Sequence, residues 1–230
     1  MKLLAMIPAR LGSKRIPKKN IRILGDKPLI RYAIDLALAS NEFDSVWVNS
    51  ESEALGRIAV GAGVQFHKRP VELSSDTATN RDFTTEFLNT HDCDFLVMVN
   101  TTSPLLRMET LKAFCARVRE NKHDTILSTL SERAEAFYHG KPLNFNTNEK
   151  LNSQELPPID LVVWALTAWR RDTFLALQNS GKCPIFGGNI GIFDMRKDEA
   201  CDLDTEEDWR IAEGLMAARC LNKRAQYYDI

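Results

Sequence analysis

The chain has 230 residues, long enough to bury one sizeable core, and its 30 lysines and arginines nearly match its 31 aspartates and glutamates for a formal net charge of −1. That balance argues against a protein that wraps nucleic acid, which carries a strong basic excess. The five cysteines, Cys93, Cys115, Cys183, Cys201 and Cys220, are odd in number and form no CxxC pair, so zinc sites and disulfide frameworks are poorly supported and free thiols in a reducing cytoplasm are expected.

Lys2–Pro8, KLLAMIP, reads as a buried strand ended by proline. This run is too short for a signal-peptide core, and nowhere do about 18 apolar residues follow one another as a membrane span requires. Ile7–Asn20, IPARLGSKRIPKKN, is a loop carrying Arg10, Lys14, Arg15, Lys18 and Lys19. Pro28–Ser40 has apolar residues at helical spacing, with proline suited to a first turn. Ser45–Ser50 is a second strand, Ser52–Gly63 a helix closed by glycine, Val64–Pro70 a third strand and Thr79–His91 another helix. Asp94–Asn100, DFLVMVN, is apolar almost throughout, as in a parallel strand buried on both faces. Met108–Asn121 reads as a helix and Asp124–Leu130 as a strand.

From about Ser131 to Asp160 the chain turns polar and reads as an extended arm or hairpin, an excursion of the kind that is often functional or interfacial. Leu161–Trp169 returns to strand composition, Arg170–Gly181 is a helix closed by glycine, and Asn189–Met195 is a strand. Thr205–Asn222 is a final amphipathic helix, capped by Thr205 and acidic in its first turn. No repeat, low-complexity tract or linker divides the chain, so residues 1–230 are read as one domain with an arm over approximately 131–165. The alternation of strands and helices predicts a doubly wound, mostly parallel α/β sheet with ligands beyond the carboxyl ends of its strands. The basic loop falls there, just past the first strand.

Lysine and arginine in that loop offer charge-assisted donors to a polyphosphate, and Gly12 permits close backbone approach. The loop fits neither GxxxxGK[ST] nor GxGxxG, and an isolated basic stretch is usually a solvated surface. Other stretches reverse that reading: GDKPLI (Gly25–Ile30), RPVELSSDTATN (Arg69–Asn80), NTTSPLLR (Asn100–Arg107) and CDLDTEEDW (Cys201–Trp209). With the basic loop, and in this order, they closely resemble the acylneuraminate cytidylyltransferase family, the CMP-sialic acid synthetases. The resemblance implies a Rossmann-like nucleotidyltransferase with a protruding dimerisation arm that pairs into a homodimer. It implies CTP and a 2-keto sugar acid as substrates, with magnesium (Mg2+) supporting the polyphosphate.

The resemblance also assigns residues. Arg10 and Lys19 match triphosphate contacts, Asn20 lies beside them, and Gly12, Ser13 and Lys14 complete the loop pattern. Arg69, Ala78 and Asn80 match a segment that holds the cytidine; Ser75 and Asp76 belong to the same motif, and SSDT also reads as a helix N-cap. Asn100, Thr102 and Ser103 match the sugar side. Asp202 and Asp204 match the metal carboxylates; an isolated DxD is commonly structural, but alternation puts both side chains on one side of an extended segment, and hard oxygens suit magnesium. Arg10, Lys19, Asp202 and Asp204 are thus the expected catalytic set.

The match weakens on the acceptor side. Asn100 stands where most relatives have glutamine, and Leu161 and Val163-Trp164 stand where relatives carry an arginine and an Asn-Gly pair. VNSES replaces a STDD-like run. The expectation is that nucleotide activation is kept while the sugar differs from N-acetylneuraminate. A KDO-type or other sugar nucleotidyltransferase and a noncatalytic sugar-nucleotide-binding homologue are the alternatives. His67, His91, His123 and His139 show no HxH or HExxH spacing and are read as surface or structural. Trp47, Trp164, Trp169 and Trp209 are read as packing residues.

Overall fold

A computed structural model describes residues 1–221. In chain order the elements are β1 (Leu3–Pro8), β2 (Ile23–Leu24), β3 (Lys27–Pro28), α1 (Leu29–Ser40), β4 (Ser45–Ser50), α2 (Glu53–Gly61), β5 (Gln65–Lys68), α3 (Asn80–Thr90), β6 (Phe95–Val99) and α4 (Met108–Arg119). There follow β7 (Thr125–Glu132), β8 (Phe137–Tyr138), β9 (Lys141–Pro142), β10 (Ile159–Arg170), α5 (Arg171–Asn179), β11 (Ile190–Asp194) and α6 (Glu206–Cys220). The predicted end of the last helix at Asn222 lies outside the described residues.

A seven-stranded sheet runs in the order β11-β7-β10-β6-β1-β4-β5. β1 pairs in parallel with β4 and β6, β4 with β5, and β7 with β11, whereas β10 runs antiparallel to both β6 and β7. β1 is central, so both its faces must be apolar. Leu3, Ala5 and Ile7 enter one core cluster, and Leu4 and Met6 enter the other, as the two-residue period requires. β6 splits the same way, with Phe95, Val97 and Val99 on one side and Leu96 and Met98 on the other.

Two local expectations are corrected. Pro28 closes the β2–β3 hairpin and α1 starts at Leu29. The cap of α3 is not SSDT but Thr79, whose N–H and hydroxyl both donate to Asp82 Oδ2, at 2.7 and 2.8 Å. The polar stretch after β7 contains the β8–β9 hairpin, with Phe137 and Tyr138 exposed. Ile159–Val162 of β10 pair with Thr129–Glu132 of β7 alone, so the two strands continue as a ribbon past the sheet. No helix among the described residues is long and apolar enough to cross a membrane.

His67 and His91, distant in sequence, meet beside Trp47 and Phe87. Their ring nitrogens lie 2.9 Å apart, and the other His67 nitrogen is 2.7 Å from Glu86 Oε2. Burial, with the nearby His67 and Lys2, pushes the His91 imidazole down to about 4. An unfolded histidine titrates near 6.5, so between these values the unfolded chain binds the extra proton. Stability is therefore full above about pH 6.5 and falls as pH drops toward 4, by about 1–3 kcal/mol once partial solvent screening is allowed for. Urea unfolding at pH 7.5 and pH 5 should reveal this slope, and His91→Gln should flatten it.

Candidate active site

The carboxyl ends of β1 and β6, the residue after β5, the start of α3 and one residue of β10 enclose a cleft of about 290 Å³. Arg10, Lys19, Asn20, Arg69, Asn80, Asn100 and Thr102 line it. It opens where a parallel sheet leaves its strand ends free, and strand order sets its length: β10 and β6 form one end, β1 the middle and β5 the other.

The cationic loop is fastened from beneath. Ile16, fully buried, packs in one apolar cluster with Leu24, Leu29, Leu203 and Trp209. Leu203 is the residue between the two aspartates. Burying it turns Asp202 and Asp204 to the opposite side, as alternation demands. Lys18 takes the left-handed conformation, φ 54°, at the entry to a short 3-10 turn, and Lys19 follows it inward. The Lys19 side chain is 12% exposed, and its ammonium donates to Leu203 O at 2.5 Å and Asp204 Oδ1 at 3.3 Å. Arg15 reaches Asp204 Oδ2 at 2.9 Å. Leu203 N donates to Thr102 O at 2.9 Å, which ties the acidic segment to the loop after β6.

Asp202 sits at the rim, open to solvent on one side. Lost hydration on its enclosed side pushes its pKa up; the Thr102 hydroxyl opposes this and the Asp204 charge adds to it. Among the described residues no three His, Cys, Asp or Glu side chains converge. Two neighbouring carboxylates are what remain, and they fit magnesium, which commonly takes one or two carboxylates and completes its shell with phosphate and water. Thr205 caps α6, and its N–H and hydroxyl bond Asp208 Oδ2 at 2.7 and 2.8 Å, while Asp204 N donates to the same oxygen at 3.1 Å.

Arg10 lines the cleft with its guanidinium resting on Ser74 O, Ser75 O and Asp76 Oδ1, at 3.3, 3.3 and 3.0 Å. Lys14 also pairs with Asp76, and these two cations hold the Asp76 carboxyl below the usual range. Asn20, 5% exposed, donates to Arg10 O at 2.9 Å and leaves its Oδ1 buried without a partner. Arg69 is buried. It donates to Ala9 O and Ser74 Oγ, each at 3.0 Å, lies 3.6 Å from Glu51 and stacks 4.9 Å from the Phe83 ring centroid. It therefore braces the cleft wall rather than offering a free charge. Burial pushes Glu51 up, but the Leu11 N–H and Arg69 outweigh this and hold its carboxyl below the ordinary value.

Gly12 is exposed, its φ is not in the left-handed region and a Cβ there would meet nothing within 4 Å, so neither conformation nor space demands glycine at this position. Ser13 and Lys14 lie on the same outer part of the loop, away from the cleft lining. Ala78 is half-buried ahead of α3, and Ser103 is buried under the turn after β6; neither lines the cleft. Lining residues that the sequence reading passed over include Phe83, Met98 and Thr101. Phe83 was accessible, since it follows Asn80 by three on a helix. Trp164, read as packing, is half-buried, packs against the core cluster of Leu96, Met98 and Trp169, and also lines the cleft wall.

Glu199, fully buried, anchors the segment before the acid pair. Its Oε2 accepts the Arg107 N–H at 2.9 Å ahead of α4, and its Oε1 lies 3.7 Å from both Arg107 and Arg196. Glu199→Leu strands that N–H and removes a buried charge from between two guanidinium groups. It should cost about 3–5 kcal/mol in urea unfolding, against about 1–2 for Glu199→Gln, which keeps an acceptor.

Known proteins resemble the chain in sequence and in fold. The chain is 29% identical over 220 residues to N-acylneuraminate cytidylyltransferase A of Danio rerio, covering 91% of this chain and 49% of that one. It is 29% identical over 224 residues to N-acylneuraminate cytidylyltransferase of Streptococcus agalactiae serotype V, covering 91% and 52%. The chain thus spans about half the length of these two curated relatives. It is also 29% identical over 239 residues to post-translational flagellin modification protein B of Campylobacter coli, covering 96% and 98%. Its fold matches the solved structure of CMP:2-keto-3-deoxy-manno-octonic acid synthetase complexed with CTP, with TM-score 0.72, 19% identity and coverage of 95% and 100%. It matches 4-diphosphocytidyl-2C-methyl-D-erythritol synthase from Anaerococcus prevotii with TM-score 0.66, 10% identity and coverage of 94% and 98%. These two likenesses carry the fold alone. The sequence profile of the cytidylyltransferase family matches residues 4–228, and the chain belongs to that family.

Proposed function

We propose that the protein transfers CMP from CTP to a nonulosonic, sialic-acid-like 2-keto sugar acid, releasing pyrophosphate. The observation that carries this reading is the Lys19 ammonium, bonded to Leu203 O and Asp204, in a cleft that Lys19 and Arg10 both line. Neither carboxylate is itself in the cleft lining; Asp204 adjoins it through Lys19, and Asp202 through the Thr102 hydroxyl. The anomeric hydroxyl of the sugar forms a bond to the α-phosphorus while the α–β bridging oxygen leaves with pyrophosphate. Arg10 and Lys19 stabilise charge that grows on the phosphate oxygens during this exchange. Asp202 and Asp204 would hold magnesium, which supplies charge neutralisation on the polyphosphate. Asn20 presents its unpartnered Oδ1 at the nucleotide, Arg69 and Asn80 shape the cytidine end, and Asn100 and Thr102 face the sugar.

The β7–β10 ribbon, which exposes Leu161 and Val162, and the β8–β9 hairpin, which exposes Phe137 and Tyr138, form the arm through which a second copy pairs as a homodimer. Sedimentation at micromolar concentration should give twice the chain mass. Cys93, Cys115, Cys183 and Cys201 are unpaired, in keeping with a cytoplasmic enzyme. The deciding assay is pyrophosphate release from CTP and magnesium over a panel of sugar acids that includes N-acetylneuraminate and KDO. CTP-specific release with a nonulosonic acid is expected. Release with no acceptor, or a clear preference for KDO or for another nucleoside triphosphate, would overturn the reading.

A further inference from the structure

VNSES, Val48–Ser52, runs off the carboxyl end of β4 and has no part in the chemistry so far. Its Glu51 is outside the cleft lining, yet it holds the loop that carries Arg10. Glu51 Oε1 accepts the Leu11 N–H at 2.9 Å. Glu51 Oε2 lies 3.6 Å from Arg69 Nη2, and that same nitrogen donates to Ala9 O at 3.0 Å. The acid therefore secures the peptide groups on both sides of Arg10, one directly and one through Arg69. Two further bonds complete the hold: Ala9 N donates to Asn49 O at 3.0 Å, and Asn20 Nδ2 donates to Arg10 O at 2.9 Å.

The two ends of Arg10 are thus held differently. Its backbone is fixed by Asn49, Arg69 and Asn20, all buried, and by the half-buried Glu51. Its guanidinium rests on two carbonyls and the exposed Asp76, contacts that a polyphosphate can replace. A fixed base and an exchangeable tip suit a cation that must meet developing charge without reorganising first. Arg69 also donates to the hydroxyl of Ser74, whose carbonyl supports the Arg10 tip, so the same pair steadies both ends. No other acid among the described residues pairs with Arg69. Removing Glu51 would leave a buried guanidinium uncompensated and the Leu11 N–H without its acceptor.

On the cytidylyltransferase reading given above, we propose that Glu51 is a positioning residue: with Arg69 it fixes the backbone at Arg10, so that the guanidinium meets the phosphates of CTP already placed for transfer. Glu51 touches neither substrate and acts through Arg10.

The test follows pyrophosphate release from CTP and magnesium in the wild type, Glu51→Ala, Glu51→Gln, Arg10→Met and the double variant Glu51→Ala with Arg10→Met. The acceptor is N-acetylneuraminate, or the fastest sugar acid of the panel where that differs. Glu51→Ala should lower kcat about ten- to hundredfold, the scale on which small misplacements act, with the KM for the sugar acid within about twofold of wild type. Glu51→Gln keeps an oxygen for the Leu11 N–H and loses only the charge facing Arg69, so its loss should stay below about tenfold. In the Arg10→Met background, Glu51→Ala should cost no more than about twofold, because the residue it acts through is gone. Amide exchange of the ligand-free protein should show Leu11 opening about tenfold faster in Glu51→Ala while Leu4–Ile7 of β1 keep their protection. A Glu51→Ala loss of equal size with and without Arg10, a loss carried by the KM for the sugar acid, or an unchanged kcat would overturn the proposal and leave the transferase reading intact. So would a loss in both Glu51 variants that comes with faster exchange throughout β1, since that is unfolding and not placement. A wild type that releases no pyrophosphate from CTP with any sugar acid would overturn both.

Discussion

Asp202→Asn should lower CTP-dependent pyrophosphate release about 10²–10³-fold, the scale seen when one preorganised electrostatic partner is removed from a transition state. The substitution keeps the shape of the side chain and an oxygen for the Thr102 hydroxyl, so the fold should survive it. What it removes is a negative charge that no cation among the described residues claims at ion-pair distance; the neighbouring Asp204 has Arg15 and Lys19 at 2.9 and 3.3 Å. The protein's own cations already neutralise Asp204, which leaves Asp202 as the carboxylate with charge to spare for a divalent ion. Asp204→Asn should therefore shift the magnesium requirement less than Asp202→Asn does. Initial rates measured against magnesium concentration, together with calorimetric CTP binding without metal, check this. Metal-free CTP affinity should stay within about threefold of wild type, whereas an equal loss with and without magnesium would show that Asp202 acts in some other way.

How far the sequence reached follows from how local each determinant is. β1 and β6 were legible because a two-sided apolar strand has few other readings, and Thr205 because its capping partner lies three residues on. The facing of Asp202 and Asp204 was legible from alternation alone, since Leu203 had only to be buried. The antiparallel course of β10 was not, because it follows from where the 133–158 segment re-enters the sheet, and composition does not record direction. The bulge in β10 between Val162 and Thr167 was hidden for a similar reason: the hydroxyl that pins it, bonded to Val163 O and the Leu166 N–H, belongs to Ser128, on another strand. That Arg69, expected in a cytidine-holding segment, braces the cleft wall was not legible, because its burial against Ala9 O and Phe83 depends on contacts some 60 and 14 residues away in sequence. His67 and His91 escaped spacing rules because a helix and two strands, not a motif, bring them together.

Lys19→Met should reduce kcat about 10²–10³-fold and raise the KM for CTP, while costing about 1–2 kcal/mol of stability. The stability loss is that of the bond to Leu203 O at 2.5 Å and the pairing with Asp204, which together hold the cationic loop to the acidic segment. The larger catalytic loss needs a second role, contact with the triphosphate, and a double-mutant cycle with Asp204→Asn separates the two. If Lys19 acted only by holding Asp204, the double variant would be no slower than the worse single one. If Lys19 also stabilises charge on departing pyrophosphate, its loss should persist nearly undiminished in the Asp204→Asn background. Lys19→Arg should not restore the rate, because the Lys19 side chain is only 12% exposed in its recess, and a planar guanidinium cannot meet Leu203 O and Asp204 there without displacing one of them. An arginine variant with near wild-type kcat would mean that the recess opens in solution and that charge alone, not its placement, is what the reaction requires.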